Sequence, residues 1–470
     1  MEINITFLGA ARNVTGSKYL VEVNDIRLLV DCGLYQERGL KNLNWEPFHI
    51  SPDKIDIVLL THAHLDHCGL IPKLVKEGFK GRIYCTPATT EIAKIVLLDS
   101  AKIQEEDAAF KQKRHQREGK KGNYPEIPLY TKEDAEASFP LFSSIEYQQK
   151  LDLGNGINVV FHDAGHILGS ANIKLFIKSN GEERTLIFSG DIGKNDTPIL
   201  QDPTVFKQAD YVVMESTYGN KGTPSSAANI QETLSDIINN TNDKGGNVII
   251  PSFAIERSQE VLYRLNELLR QDLIPHIMVF LDSPMAIRVT DVFRHHTDLF
   301  DEEAAELLRR GKHPCDFPGL QLCRTVDESK AINYIRGSVV IIAGSGMCNG
   351  GRVKHHLVNN IVRPECTILF VGYQAIGTLG RQIVDGAKTV RIQGRHYPVK
   401  AKVIKIDGFS AHADKDELLQ WISAFKDNPP RKVFITHGEE KASKAFAEVV
   451  EHKLGFITER PSCGDKYVLN

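Results

Sequence analysis

The chain has 470 residues, 41% of them hydrophobic and 25% charged, which is typical of a globular protein with several domains. Its formal net charge of −3 excludes a protein that is basic over its whole surface, so any nucleic-acid site must be a local patch. No apolar run approaches the roughly 18 residues of a membrane span, and the chain opens as a strand rather than a signal peptide, so we expect no membrane association. The eight cysteines form no C-x-x-C pair, which predicts reduced thiols in a cytoplasmic protein.

The first 60 residues predict short strands joined by turns. An apolar strand, Leu28-Leu-Val-Asp-Cys-Gly33, ends at Asp31, so that this carboxylate emerges where a loop begins. From the sequence alone, an ordinary turn aspartate and a functional carboxylate are about equally good interpretations of Asp31.

The strongest signal is the motif Thr-His-Ala-His-Leu-Asp-His-Cys-Gly at 61–69, which follows an apolar strand at 55–60. His62 and His64 are two positions apart, so on extended backbone their side chains point to the same side. Asp66 and His67 follow as the chain bends toward a helix. Imidazole and carboxylate groups at this density suit a metal such as Zn²⁺. The alternative is that surface histidines cluster here by chance. That interpretation fits a lone histidine better than it fits four metal-ligand residues at this spacing.

Two further strand ends carry similar residues. His166 and Asp191 each lie in a glycine-flanked loop after a predicted strand. Each alone would be an unremarkable turn residue, but as a set with the motif at 61–69 they are candidate metal ligands. A basic run at 111–121 predicts a solvated helix end or loop, with a nucleic-acid contact as the alternative.

From about residue 208 the pattern changes to strands that alternate with helices, which predicts a parallel, doubly wound sheet. Two glycine-rich turns, at 344–352 and 372–381, each end in an arginine and favour phosphate binding. The alternative is tight packing, with both arginines paired to carboxylates of their own domain. The predicted phosphate-binding residues are Ser345, Gly346, Arg352 and Arg381.

The last part of the chain returns to strands that end in histidine motifs, Ser-Ala-His-Ala-Asp around His412 and Thr-His-Gly-Glu around His437. We therefore predict a metal-binding domain formed by 1–208 and 396–470, with a second domain inserted at 209–395.

These motifs resemble two families, one nested in the other. Asp31, His62-x-His64-x-Asp66-His67, His166 and Asp191 resemble the ordered motifs of the metallo-β-lactamase fold. Glu215 in Glu-Ser-Thr-Tyr-Gly, together with His412 and His437, resembles the additional motifs of its β-CASP branch, which contains nucleic-acid nucleases. The turn at 344–352 is similar to that of the pre-mRNA 3′-end-cleavage endonuclease subgroup. The resemblance covers essentially the whole chain, although Glu256 stands where many similar sequences have glycine.

The resemblance implies an α/β fold, a metallo-β-lactamase αββα sandwich with an inserted doubly wound, parallel-sheet β-CASP domain. It also implies two Zn²⁺ ions, the first held by His62, His64 and His166, the second by Asp66, His67 and His437. Asp191 would bridge the two ions, and Asp31 would orient a ligand imidazole. His412 is the candidate general acid with Glu215 as its orienting partner, so the predicted catalytic residues are Asp66, Glu215 and His412.

The function implied is a zinc-dependent ribonuclease that cuts single-stranded RNA endonucleolytically with a hydroxide activated by two metals, leaving 5′-phosphate and 3′-hydroxyl ends. A 5′→3′ exoribonuclease shares the same motifs and is the first alternative. A small-molecule metallo-hydrolase is a weaker alternative, because a small substrate would not require the large insertion. A non-catalytic RNA-binding subunit is also weaker, because the set of candidate metal ligands is full. A homodimer is left open as the assembly.

Overall fold

The protein divides into two compact units in a computed structural model that describes residues 2–119, 125–179, 181–222 and 227–470. Unit 1 comprises Met1–Asn195, Asp202–Gly222 and His412–Asn470, and unit 2 comprises Asp196–Gln201 and Thr223–Ala411. No helix among these residues is both long enough and apolar enough to cross a membrane.

The strands in chain order are β1 (Ile3–Gly9), β2 (Lys18–Val23), β3 (Ile26–Val30), β4 (Ile57–Leu59), β5 (Arg82–Cys85), β6 (Phe142–Ser144), β7 (Lys150–Gly154), β8 (Ile157–Asp163), β9 (Ala171–Ser179), β10 (Glu182–Phe188), β11 (Tyr211–Met214), β12 (Val248–Pro251), β13 (Met278–Asp282), β14 (Leu320–Leu322), β15 (Val339–Ala343), β16 (Thr367–Phe370), β17 (Thr389–Ile392), β18 (Arg395–Pro398), β19 (Lys402–Lys405), β20 (Lys432–Ile435), β21 (Thr458–Glu459) and β22 (Lys466–Leu469).

The α-helices in chain order are α1 (Leu65–Cys68), α2 (Ile71–Lys76), α3 (Pro87–Glu118), α4 (Lys132–Ser138), α5 (Ala227–Asn242), α6 (Arg257–Arg270), α7 (Pro284–His295), α8 (Glu302–Arg309), α9 (Val326–Ala331), α10 (Val353–Asn360), α11 (Leu379–Val384), α12 (Lys415–Ser423) and α13 (Glu440–Leu454).

Unit 1 is built on two seven-stranded sheets, ordered β22-β1-β2-β3-β4-β5-β6 and β21-β20-β11-β10-β9-β8-β7. Apolar side chains from both sheets meet in one buried cluster that includes Phe7, Phe161, Phe188 and Phe434. The helices α12 and α13 cover the other face of the second sheet, where Trp421 packs in a separate cluster. Burial of this apolar area is the main favourable contribution to folding, and it fixes the strand ends from which the site residues project.

Unit 2 contains a six-stranded parallel sheet ordered β14-β13-β15-β12-β16-β19, and a hairpin of β17 and β18. Its central strands are continuous apolar runs that are buried at every position, as expected where helices cover both faces. The predicted fold class, a metallo-β-lactamase fold with an inserted parallel-sheet domain, is therefore confirmed.

The unit boundaries differ from the predicted 208/209 and 395/396. The strand β11 looks like the first strand of the inserted domain, but it pairs in parallel with β10 and β20 and belongs to unit 1. The strand β19 looks like part of the C-terminal segment, but it pairs with β16 in unit 2. Hydrophobic pattern identifies a strand and not its partner, so it cannot assign a strand to a sheet.

The helix α3 extends from Pro87 to Glu118, whereas the apolar periodicity of the sequence predicts a helix only over 90–106. Thr86 caps its start by accepting a hydrogen bond from the Thr89 N–H, and Gly119 ends it in the left-handed conformation. Most of the predicted basic run therefore forms a solvated helix end, as the first interpretation proposed, while Lys120 and Lys121 lie outside the described residues.

Candidate metal centre and general acid

The motif at 61–69 places its side chains through a change from strand to helix. Strand β4 ends at Leu59, His62 lies in the connection that follows, and α1 begins at Leu65 with His64, whose backbone is extended, as its N-cap. His64 Nδ1 lies 3.1 Å from His62 Nε2 and 3.2 Å from Nε2 of His166, which comes from the loop after β8. Three ring nitrogens from two distant parts of the sequence therefore converge on one point.

A second group forms around α1 and the loop after β20. His67 Nε2 lies 3.0 Å from His437 Nε2, which in turn lies 3.7 Å from Asp66 Oδ2. His437 has a positive φ of 46°, and its Nδ1 is 3.1 Å from the Thr217 hydroxyl, which helps to fix the orientation of the ring. This second group therefore offers two imidazoles and one carboxylate.

Asp191 spans the two groups. Its Oδ2 lies 3.5 Å from both His62 Nε2 and His166 Nε2, and its Oδ1 lies 3.3 Å from His67 Nε2 and 3.3 Å from His437 Nδ1. The carboxylate is buried, and Oδ1 has no hydrogen-bond partner among the described residues. A buried carboxylate oxygen without a donor is costly unless another positive group satisfies it.

These donors fit metal ions. The ligand atoms of His62, His64, His166 and Asp191 all lie within 4.8 Å of one another, as do those of Asp66, His67 and His437. Two ring nitrogens that face each other at about 3 Å can share only one proton, so several of these nitrogens are lone-pair donors aimed at a common point. Imidazole and carboxylate ligands are the set that zinc prefers when thiolates are absent.

The pKa shifts of the buried ligands follow from their burial and mutual charges. Burial, reinforced by neighbouring imidazoles, lowers the pKa of His62 well below its usual value, and burial lowers that of His64 to about 4. Burial also acts to lower the pKa of His67, but the Asp191 and Asp31 carboxylates outweigh it and hold that pKa well above its usual value. A protonated His67 thus supplies positive charge that a bound metal would replace.

Asp31 lies behind His67 and is buried. Its Oδ2 accepts a hydrogen bond from His67 Nδ1 over 2.6 Å, and its Oδ1 accepts one from the Thr61 N–H over 2.9 Å. The hydroxyls of Thr61 and Ser17 also donate to this carboxylate. Asp31 thus directs His67 Nε2 toward Asp191, which is the arrangement that an orienting carboxylate requires.

His412 and Glu215 form a pair beside Asp191. His412 Nδ1 lies 3.2 Å from Glu215 Oε1 and 3.9 Å from Asp191 Oδ2. Glu215 is fixed because its Oε1 also accepts the Ile192 N–H over 2.6 Å. Burial acts to lower the pKa of His412, but the Glu215 and Asp191 carboxylates outweigh it and raise that pKa to about 10. Because the His412 side chain is 21% exposed, a proton donor with a reachable surface lies at the edge of the metal centre.

The predicted phosphate-binding residues lie in unit 2, and none of them belongs to the ligand groups. Arg352 donates to Asp282 Oδ1 over 2.6 Å and to the carbonyl oxygen of Cys323 over 2.8 Å, so its guanidinium is engaged in structural contacts. Arg381 pairs with Asp385 over 2.8 Å at the surface. The Ser345 hydroxyl bonds within its own turn. For Arg352 these contacts favour the structural alternative.

Two threonines at the site are absent from the predicted set. Thr61 contacts Asp31, His62 and His67 through one hydroxyl, and Thr217 contacts His437. Both lie inside motifs that contain predicted site residues. Their position in these motifs could have identified them, because a hydroxyl side chain within such a motif is a candidate for orienting a ligand.

Family models match most of the chain in three consecutive parts. A metallo-beta-lactamase superfamily domain matches residues 20–214, a Beta-Casp domain matches 258–383, and a Zn-dependent metallo-hydrolase RNA specificity domain matches 396–461. These matches follow the order in which the sequence motifs occur.

Relatives match over nearly the full chain. Ribonuclease TTHA0252 of Thermus thermophilus is 38% identical, over 95% of this chain and 96% of the relative. Transcription termination factor FttA of Methanosarcina mazei is 35% identical, over 97% of this chain and 70% of the relative. A solved protein of unknown function from Enterococcus faecalis has the same fold, with a TM-score of 0.58 and 13% identity, and each chain is covered completely. The predicted resemblance is confirmed, and the chain belongs to the β-CASP family of metallo-β-lactamase-fold nucleases.

Proposed function

We propose that the protein is a zinc-dependent ribonuclease that cuts single-stranded RNA at internal phosphodiester bonds and leaves 5′-phosphate and 3′-hydroxyl ends. The observation that carries the proposal is the Asp191 carboxylate, whose two oxygens face two separate groups of imidazole nitrogens. The match to an RNA specificity domain and the relative named as a ribonuclease support RNA as the substrate.

The two groups would hold one Zn²⁺ each. His62, His64 and His166 form the first ligand set, Asp66, His67 and His437 form the second, and Asp191 faces both. Two zinc ions held by these residues would lower the pKa of water and neutralise charge on the attacked phosphate.

The chain's own residues prepare this site. Asp31 accepts the Nδ1 proton of His67 in a hydrogen bond, which leaves Nε2 as the ligand atom. The Thr61 hydroxyl lies 3.1 Å from His62 Nδ1 and in the same way leaves Nε2 of His62 as its ligand atom. Because these imidazoles are buried and oriented before any substrate arrives, the ligand geometry costs little reorganisation during the reaction.

His412 is the proposed general acid. A 3′-hydroxyl product requires that the departing O3′ gains a proton. The Nδ1 of His412 faces Glu215, so its Nε2 proton is the one that can be donated to O3′. A pKa raised to about 10 keeps this imidazole protonated near neutral pH.

The test compares circular and linear single-stranded RNA of one sequence, with and without a chelator. Endonucleolytic cleavage cuts the circle into a linear product, whereas a 5′→3′ exoribonuclease degrades only the linear RNA to mononucleotides. We expect both RNAs to be cut, cleavage of both to be lost with the chelator, and cleavage to return when Zn²⁺ is added. If neither RNA is cut when zinc is present, the proposal is wrong and a small-molecule substrate becomes the better hypothesis.

Two variants separate the proposed roles. We expect His412→Ala to keep about two zinc ions per chain and lose roughly 10²–10⁴-fold in cleavage rate, because only the acid is removed. We expect His437→Ala to lose cleavage together with one of the ions. His452→Ala, on the exposed surface of α13, is the matched control. Elemental analysis beside the cleavage assay decides, and a His412→Ala protein that loses zinc would reverse the assignment.

A further inference from the structure

An exposed aromatic surface lies at the carboxyl edge of the parallel sheet in unit 2. Most large apolar side chains of the described residues are buried, but Phe253 is 38% exposed and Tyr373 is 51% exposed. Phe253 follows β12 and Tyr373 follows β16, and these two strands are parallel neighbours. Their following turns therefore emerge at the same edge, which is where ligands bind in open α/β sheets.

Two glycines leave room for the Phe253 ring to pack closely against their backbone. A Cβ added to Gly346, in the turn after β15, would lie 2.8 Å from Phe253 Cδ2, and one added to Gly372 would lie 3.2 Å from Phe253 Cε2. The ring thus lies directly against the backbone of both glycine-rich turns. An aromatic ring fixed in this way loses little conformational entropy when a flat ligand covers its open side.

A cation adjoins the same surface. The Gly380 N–H, one residue before Arg381, donates to the Met347 carbonyl oxygen over 3.1 Å, so the start of α11 is bound to the glycine-rich turn that contacts Phe253. The Arg381–Asp385 pair is exposed, with side-chain exposures of 40% and 55%, and exposed ion pairs are weak. Arg381 can therefore exchange this carboxylate for a phosphate at little cost.

We propose that Phe253 and Tyr373 form a stacking platform for unpaired nucleobases of single-stranded RNA, with Arg381 on the adjoining backbone phosphate. This inference rests on RNA being the substrate, as proposed above. Stacking on aromatic side chains accepts any base, since every base has a π-face, so the platform favours single strands over duplexes without reading sequence.

The test measures binding of phosphorothioate-linked 12-nucleotide RNA, which resists cleavage, against an abasic strand of equal length and charge. We expect Phe253→Leu and Tyr373→Leu each to weaken binding of the base-bearing strand roughly tenfold and to leave binding of the abasic strand unchanged. A 2-aminopurine base in the strand is expected to be quenched by the unaltered protein and less quenched by both variants. Tyr373→Phe should bind as the unaltered protein does.

Tyr334→Leu is the matched control, because Tyr334 is 85% exposed in the same unit and lies at the end of a separate 3-10 helix. If the Phe253 variant does not fold, the exposed Tyr373 decides alone. Equal affinity of the Tyr373→Leu and unaltered proteins for the base-bearing strand overturns the platform while leaving the ribonuclease function standing. The platform is also overturned if the Tyr373→Leu protein loses self-association but binds RNA normally. If the unaltered protein neither binds nor cuts RNA, the proposed function fails, and the platform fails with it.

Discussion

His412 is held between the carboxylates of Glu215 and Asp191, and its charge state depends on both. We expect Glu215→Gln to lower the pKa of His412 from about 10, because an amide no longer stabilises the imidazolium by charge. A lower pKa means that the general acid loses its proton at lower pH. The alkaline limb of the kcat/KM profile should therefore move roughly 1–2 pH units toward neutrality.

The pH profile is compared with that of Glu440→Gln, a surface glutamate. An alkaline limb that stays in place in Glu215→Gln would mean that another group donates the proton. Zinc content measured on the same samples separates this result from loss of metal.

Glu256 adopts φ 60° and ψ −56°, a backbone conformation that L side chains rarely adopt. The Arg257 N–H donates to the Ile255 carbonyl over 2.7 Å, so Glu256 is the centre of a γ-turn at the start of α6. We expect Glu256→Gly to raise the free energy of unfolding by about 1–2 kcal/mol, because glycine removes the Cβ strain. Glu256→Ala is the control, since it removes the same buried carboxylate but keeps the Cβ. Urea denaturation that finds the two variants equally stable would contradict the strain argument.

At the scale of single residues, the sequence predicts well which side chains converge on one centre, and it predicts their hydrogen-bond partners poorly. The predicted metal ligands converge because each motif carries a recognisable residue type at a strand end. The contact of Thr217 with His437 joins positions 220 residues apart in sequence, and no local pattern signals it. Arg352 illustrates the same limit, because its partner Asp282 lies on another strand and a glycine-rich turn ending in arginine looks the same with or without it.

At the scale of whole elements, Asp282 at the end of β13 fixes the position of the turn at 344–352. This buried carboxylate accepts hydrogen bonds from Arg352, His356 and Ser329, each over 2.6 Å. We expect Asp282→Asn to destabilise unit 2 by about 3–5 kcal/mol, because the variant leaves Arg352 without its counter-charge in a largely buried position. The matched control, Asp385→Asn, breaks the exposed pair with Arg381 and should cost under about 1 kcal/mol. Denaturation curves that show equal losses would contradict this.

The same anchor predicts a pH dependence. Burial acts to raise the pKa of Asp282, but His356, Ser329 and Arg352 outweigh it and hold the pKa below its usual 3.8. The resulting stabilisation is present above pH 3.8 and is lost as the pH falls through the folded-state pKa. The Asp282→Asn protein should lack this acid-dependent loss.

Elements were predicted best where their pattern is apolar. The strands β12, β15 and β16 are continuous apolar runs, and the sequence predicts them at 247–251, 338–343 and 367–371, within about one residue of the observed bounds. Apolar periodicity predicts α3 only to about residue 106, because the rest of the helix is solvated and carries charge pairs such as Arg114–Glu118 in place of an apolar stripe.

For the whole molecule, the proposed metal ligands come from two of the three sequence segments of unit 1, 1–195 and 412–470, and none of them lies in unit 2. A ligand that binds only the folded state stabilises whatever it holds together. We expect chelation to speed backbone hydrogen exchange in α1 and β20, which adjoin the ligands, while β12 and β15 in unit 2 keep their protection. Mass spectrometry of proteolytic fragments locates the effect, and the His437→Ala protein should show a smaller difference between metal-loaded and chelated samples. Equal acceleration in both units would contradict the assignment of the metals to unit 1.

The interruption of unit 1 by residues 223–411 has a consequence for how the protein is made. A ribosome releases Asp191 long before it releases His412 and His437, so the nascent chain holds an incomplete metal centre while the intervening segment is synthesised. That segment is almost all of unit 2, and its parallel sheet can close during this interval. The messenger RNA that the ribosome translates is itself single-stranded RNA. Because His412 and His437 follow the insertion, the proposed second ligand set and the proposed general acid are complete only after most of that messenger has been translated.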